Sequence, residues 1–334
     1  MGEASRASSS AYPLLLVLAL AHWRGVAAAS STTFTVSNYC SQPIWPGTLA
    51  GAGTPQLPTT GFRLDPGQSA LVPAPAGWSG RLWARTGCAF GAGGEGTCQT
   101  GDCGGRLECA GAGGAPPATL FEVTLGKGAT GLDYYDVSLV DGYNLPVVAV
   151  PRAPSGAGCN ATGCTADLNL SCPKELQVER GGTVACRSAC EAFGQDQYCC
   201  SGAYATPAAC RPTAYSSIFK SACPRAYSYA YDDGSSTFTC HSAAGYTIAF
   251  CLPPSSGLHG SDVTPLVSPP ASGQSTGRVG GDGVGSADQP PHPATGNSDG
   301  GGYHQLWMTM SLASTLHDQL WLLLPLPAVL LLLL

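Results

Sequence analysis

The stretch Gly94-Glu95-Gly96-Thr97-Cys98-Gln99-Thr100-Gly101-Asp102-Cys103-Gly104-Gly105-Arg106-Leu107-Glu108-Cys109 sets the terms on which the rest of the chain is read. Glycine reaches positive φ without steric cost, so this backbone can turn tightly around closely spaced cross-links. Asp102, inside such a loop, is expected to close a turn rather than to meet a ligand. Working outward, all 16 cysteines fall between Cys40 and Cys251. An even, clustered count in a secreted chain implies a disulfide framework of up to eight bridges. A metal site is not expected, because paired C-x-x-C is absent and histidine is sparse where cysteine is dense. No cofactor is expected either. Short alternating runs read as strands: Thr33–Val36, Leu82–Arg85, Phe121–Leu125 and Tyr246–Phe250. Between Gly181 and Cys200, Cys186, Cys190 and Phe193 recur at helical spacing, which predicts one short helix. The pattern is mainly β: a sandwich with a cysteine-rich appendage.

With 45 Gly and 27 Pro in 334 residues, turns should be abundant. The net charge of −6 argues against nucleic acid as a partner, since phosphate binding needs a basic face. Residues 30–252 hold 12 Lys+Arg against 15 Asp+Glu, so this part alone is mildly acidic and suits neutral or basic ligands. Asn160-Ala161-Thr162 and Asn169-Leu170-Ser171 are N-glycosylation sequons.

Both ends carry targeting patterns. Arg6, the apolar run Pro13–Ala21 and Ala27-Ala28-Ala29 form a signal peptide over residues 1–29, too short to be a spanning helix. Residues 253–300 are rich in Pro, Gly, Ser and Thr and cannot bury enough apolar surface to order themselves, so they read as a stalk. A coil of that length spans roughly 40 Å. Residues 301–334 end in the apolar tail 320–334, which two prolines interrupt and no polar residue follows. Small residues upstream make this a glycosylphosphatidylinositol (GPI) attachment signal, with Asn297 or Ser298 as attachment residue; a second candidate site lies near Ser311 and Ala313, and a tail-anchored helix is the alternative.

The opening stretch also matches the signature of the thaumatin-like proteins, a plant pathogenesis-related family. Trp83-Ala84-Arg85-Thr86-Gly87-Cys88, the block Asp133–Pro146, Tyr198-Cys199-Cys200, Ser236–Cys240 and Phe250-Cys251 resemble further family segments. The likeness covers about residues 31–252, and the domain is assigned to 30–252. It implies a flattened β-sandwich with disulfide-rich loop and short-helix subdomains. It also implies eight disulfides: Cys40–Cys251, Cys88–Cys98, Cys103–Cys109, Cys159–Cys240, Cys164–Cys223, Cys172–Cys186, Cys190–Cys199 and Cys200–Cys210. Spacing alone could not choose this pairing.

The resemblance further implies an acidic cleft built from one arginine and four carboxylates, here Arg85, Glu122, Asp136, Asp141 and Asp232, the last chosen over its neighbour Asp233. Carboxylates accept hydrogen bonds from sugar hydroxyls, and an arginine can hold them ionised. Tyr143, Tyr227 and Phe90 are candidates to pack on sugar rings. Three functions fit the family: a defence protein binding β-1,3-glucan and perturbing fungal membranes, a weak endo-β-1,3-glucanase with Glu122 as acid and Asp141 activating water, and a wall protein with another ligand. Binding is favoured over hydrolysis, because the same carboxyls serve either. The expected protein is a monomer outside the cell, in the apoplast or on the outer face of the plasma membrane.

Overall fold

The computed structural model describes residues 32–127, 131–154, 158–241 and 243–253. The expected leader, the stalk beyond Pro253 and the anchor signal lie outside the described residues. Among these residues the strands are β1 (Thr32–Asn38), β2 (Trp45–Ala50), β3 (Ser69–Ala74), β4 (Ser79–Arg85), β5 (Ala89–Phe90), β6 (Gly96–Thr97), β7 (Leu120–Thr124), β8 (Leu132–Ser138), β9 (Val147–Arg152), β10 (Thr162–Cys164), β11 (Gln177–Glu179), β12 (Thr183–Cys186), β13 (Phe238–His241) and β14 (Gly245–Phe250). Ten of them form two five-stranded sheets, ordered β10-β9-β14-β1-β3 and β13-β8-β7-β4-β2.

The four runs predicted as strands fall in β1, β4, β7 and β14. All six residues of β14 are buried, because it sits between β9 and β1 with the opposite sheet beneath it. β1 and β14 pair in parallel, Phe34 opposite Tyr246, so the first and last strands of the domain lie side by side. Cys40–Cys251 joins the chain just past their ends. The core between the sheets is aromatic. The Phe34 ring lies 5.5 Å from Trp78 and 6.2 Å from Phe121, and Tyr246 lies 5.0 Å from Tyr135, in the edge-on and tilted arrangements that ring quadrupoles favour. The polar ends are satisfied: the Tyr246 hydroxyl donates to Asp133 Oδ2 at 2.7 Å, and the Gly126 amide donates to Asp133 Oδ1 at 2.7 Å.

The second region is a lobe of short helices and loops. The 181–200 segment holds more than the one helix expected. It begins as β12 and continues into α1 (Ala189–Phe193) and α2 (Asp196–Cys199). The Ser188 hydroxyl accepts from the Glu191 amide to start α1, and Gly194, at φ 61°, stops it. A longer helix, α3 (Ala214–Ala222), which lies outside the 181–200 segment expected to be helical, follows a Thr213/Ser216 capping box and buries Phe219. A last turn, α4 (Asp233–Ser236), leads into β13. All eight disulfides have the pairing the family implies, with no free cysteine among the described residues.

Candidate functional site

The second sheet has two faces. Leu82, Ala84, Phe121, Val123, Tyr135 and Val137 point into the sandwich core. Their neighbours in sequence therefore point the other way. On that outer face the register aligns Arg81 on β4 with Glu122 on β7, and Glu122 with Asp136 on β8. A single cross-strand row thus carries one arginine and two carboxyls. Asp141 joins it from the turn after β8, with a carboxylate oxygen 3.9 Å from the Arg81 guanidinium. That turn closes where the Gly142 amide donates to Leu139 O, and Gly142 sits at φ +83°. A Cβ there would lie 2.6 Å from Pro117 and 2.8 Å from Cys186 O, so glycine is required. Reciprocal bonds between Tyr143 and Cys186, both 2.8 Å, then stitch the turn to β12.

Glu122 and Asp136 are 4% and 8% exposed, whereas the Arg81 and Asp141 side chains are 11% and 32% exposed. Three of the four groups are therefore nearly dry, and Asp141 is the one with substantial exposure. Burial pushes the Glu122 carboxyl up to about 7; Arg81 opposes the shift and Asp141 adds to it. Burial, then the charges of Glu122 and Asp233, push Asp136 well above the usual carboxylate range. Burial also raises Asp141, again with Arg81 opposing. Asp136 Oδ2 is buried and has no hydrogen-bond partner among the described residues.

The helical lobe contributes an acid that the sequence reading missed. Glu191 on α1 lies 3.6 Å from Arg187, and burial raises its carboxyl to about 7, with Asp141 adding to the shift. One of its oxygens, Oε2, is likewise buried without a partner. A Glu at the third helical position reads as half of a capping box, so nothing in the local pattern separates it from a cap. Among the described residues no group of three or more His, Cys, Asp or Glu is arranged to hold a metal.

Three expected placements need correcting. Arg85 does not join the acids. It shares its strand face with Arg81 but lies four residues further along β4, under the Gly94–Cys109 loop. There it is fully buried and donates to the carbonyls of Trp45 (2.9 Å), Pro46 (3.3 Å), Arg106 (2.7 Å) and Leu107 (2.8 Å) and to Cys103 Sγ (3.2 Å). Arg81 holds the position assigned to it. Asp232 faces away from Asp136: it pairs with Lys220 Nζ at 2.9 Å and accepts from the Ser228 amide and hydroxyl. Asp233 is the residue whose charge Asp136 feels, and it accepts from the Tyr227 hydroxyl at 2.8 Å. The proposed stacking rings are spent elsewhere. Tyr143 and Tyr227 are 1% exposed or less, and Phe90 packs on the Arg85 guanidinium, 5.4 Å from its centre. Asp102 does close its turn, accepting from the amides of Cys98 (2.9 Å) and Gly105 (2.7 Å).

Comparison with known proteins agrees with this architecture. The model of the thaumatin family matches residues 38–252. Thaumatin-like protein 1 of Arabidopsis thaliana is 53% identical over 248 residues, covering 72% of this chain and 94% of its own length. Pathogenesis-related protein 5 of the same plant is 57% identical over 225 residues, covering 67% of this chain and 92% of its own. Pathogenesis-related thaumatin-like protein 3.5 of Cryptomeria japonica is 54% identical over 239 residues, covering 71% and 97%. The chain belongs to the thaumatin family.

Proposed function

We propose that this is a plant defence protein that acts outside the cell and grips β-1,3-glucan of fungal walls, binding the polymer without cutting it. The observation that carries the reading is the unpartnered, buried oxygen of Asp136 in the row Arg81–Glu122–Asp136. Buried oxygens in folded proteins are nearly always satisfied, and one left open in a row of clustered carboxyls calls for an explanation. Glucan hydroxyls are neutral donors that would fill such valences, while Arg81 and Asp141, the two more exposed groups, would exchange bonds with further hydroxyls. The binding set is then Arg81, Glu122, Asp136, Asp141, Asp233 and Glu191. Eight disulfides support an oxidising compartment for the domain. Attachment to the outer face of the plasma membrane through a GPI group at Asn297 or Ser298 is part of the proposal. Phosphatidylinositol-specific phospholipase C should release the protein from cells, and retention would mean a spanning helix.

Co-sedimentation with insoluble curdlan, paired with release of reducing ends from laminarin, tests the reading. The wild type should co-sediment and release nothing, and Arg81→Gln or Glu122→Gln should weaken binding about tenfold, the loss of one charge-assisted bond. New reducing ends that disappear in Glu122→Gln while co-sedimentation persists would make the protein an endo-β-1,3-glucanase instead. Neither signal in the wild type would assign the site to another ligand.

A further inference from the structure

We propose that an N-linked glycan is carried at Asn160 and not at Asn169, although both lie in intact sequons. In the transfer, the side-chain nitrogen Nδ2 exchanges one of its two hydrogens for a bond to C1 of N-acetylglucosamine. The donor is a lipid-diphosphate-linked oligosaccharide; the diphosphate lipid departs and the proton passes to solvent. The folded protein must therefore have one N–H direction free at the modified amide.

Asn169 has none. Its Nδ2 donates to Asn144 O at 3.1 Å and to Val184 O at 3.4 Å, so both hydrogens point at backbone carbonyls. Its Oδ1 is buried. The amide is wedged between the turn that carries Asn144 and the strand β12 that carries Val184. A sugar on this nitrogen would displace one of those carbonyls and separate the two segments. Cys172, three residues on, is bonded to Cys186 at the end of that same strand, which holds the wedge shut. A chain glycosylated at Asn169 could not close this part of the molecule.

Asn160 is the opposite case. Its side chain is exposed, and among the described residues Nδ2 makes one bond, to Gly158 O at 3.2 Å within its own turn. One N–H remains directed to solvent. The backbone beneath is fixed: the Tyr135 hydroxyl donates to Asn160 O at 2.6 Å, and the Arg225 guanidinium donates to Ala161 O. A glycan here would stand on a rigid base immediately before β10, whose three residues are buried.

Site mapping on the wild type decides the matter without a variant. The folded monomer, secreted by eukaryotic cells, is unfolded and treated with peptide-N-glycosidase in heavy-oxygen water, and fragmentation locates the Asn-to-Asp label. The expected result is label at Asn160 and none at Asn169. Label at Asn169, or no label at Asn160, overturns the proposal. As a second readout, Asn160→Gln should remove one glycan-sized mass step while secretion persists. Asn169→Gln should leave the glycan mass unchanged in whatever protein is secreted.

Discussion

Arg81 and Arg85 share one face of one strand, four residues apart, and they live under opposite rules. Around Arg85 the polar groups are paired: five donor contacts reach four carbonyls and a sulfur, and Glu108 alongside accepts from Thr60, Gly61 and Thr59. Around Arg81 three carboxyls gather, all displaced upward from their usual range, and one buried oxygen goes unpaired. The first region spends its chemistry on holding a loop in place. The second holds chemistry in reserve, and that contrast marks which end of the sheet meets a ligand.

The sharpest way to break the contrast is to exchange the two arginines' fates. Arg85→Met would take donors from four buried carbonyls, of which Pro46 O keeps the Phe62 amide; with about 1–3 kcal/mol for each carbonyl left without a donor, a total loss of at least about 3 kcal/mol is expected. Against a typical domain stability of 5–15 kcal/mol that should cut secreted yield severely. Arg81→Met, compared at pH 5 where the neighbouring acids can take up protons, should cost less, about 1–2 kcal/mol for a charge pair weakened by protonation. Guanidinium-induced unfolding of both variants measures this. Equal losses would show that Arg81 is as structural as Arg85.

This pair also shows where sequence reasoning stops. The alternation in β4 tells that residues 81, 83 and 85 share a face, and the family signature points to an arginine in this strand. Which arginine meets Glu122 depends on the register between β4 and β7, a property of two distant segments that neither one encodes alone. The adjacent Asp232 and Asp233 pose the same difficulty, because the short turn α4 sends their side chains to different partners. Tyr143 and Tyr227 looked like ligand platforms by residue type, yet their hydroxyls bond to Ala166 O and Asp233 and their rings fill the interior. What was legible rests on repetition or on long motifs: the alternating strands, the glycine-rich loop with Asp102, and the half-cystine pairing that the resemblance carried over.

A middle-sized effect sharpens the comparison through pH. Glu122 is raised from 4.5 to about 7 by burial, so between those values the folded protein holds a proton that the unfolded chain has released. Stability from this group is complete below pH 4.5 and declines as pH rises toward 7. Glu108 runs the other way. Burial lifts it, but its bonds from Thr60, Thr59 and Gly61 win and hold it below the usual value. Its contribution is therefore present above 4.5 and fades as acid protonates it. Glu122→Gln should stabilise the domain by about 1–3 kcal/mol at pH 7.5 and change little at pH 4. Unfolding midpoints across that range test it, and parallel curves for variant and wild type would remove Glu122 from the list of strained acids.

The smallest expected effect separates the adjacent aspartates. Asp232 is tied to Lys220 and Ser228, so Asp232→Asn should lose about 1 kcal/mol from a weakened, partly buried ion pair and leave glucan binding unchanged. Asp233 pushes on Asp136, and its oxygen accepts from Tyr227, a bond an asparagine oxygen can keep. Asp233→Asn should therefore shift stability by less than about 0.5 kcal/mol while letting Asp136 ionise at lower pH. The pH at which curdlan binding changes should move down in Asp233→Asn and stay in place in Asp232→Asn. If the two variants behaved alike, the charge felt at Asp136 would not come through Asp233, and the acid row would end at Asp136 rather than continue toward the helical lobe.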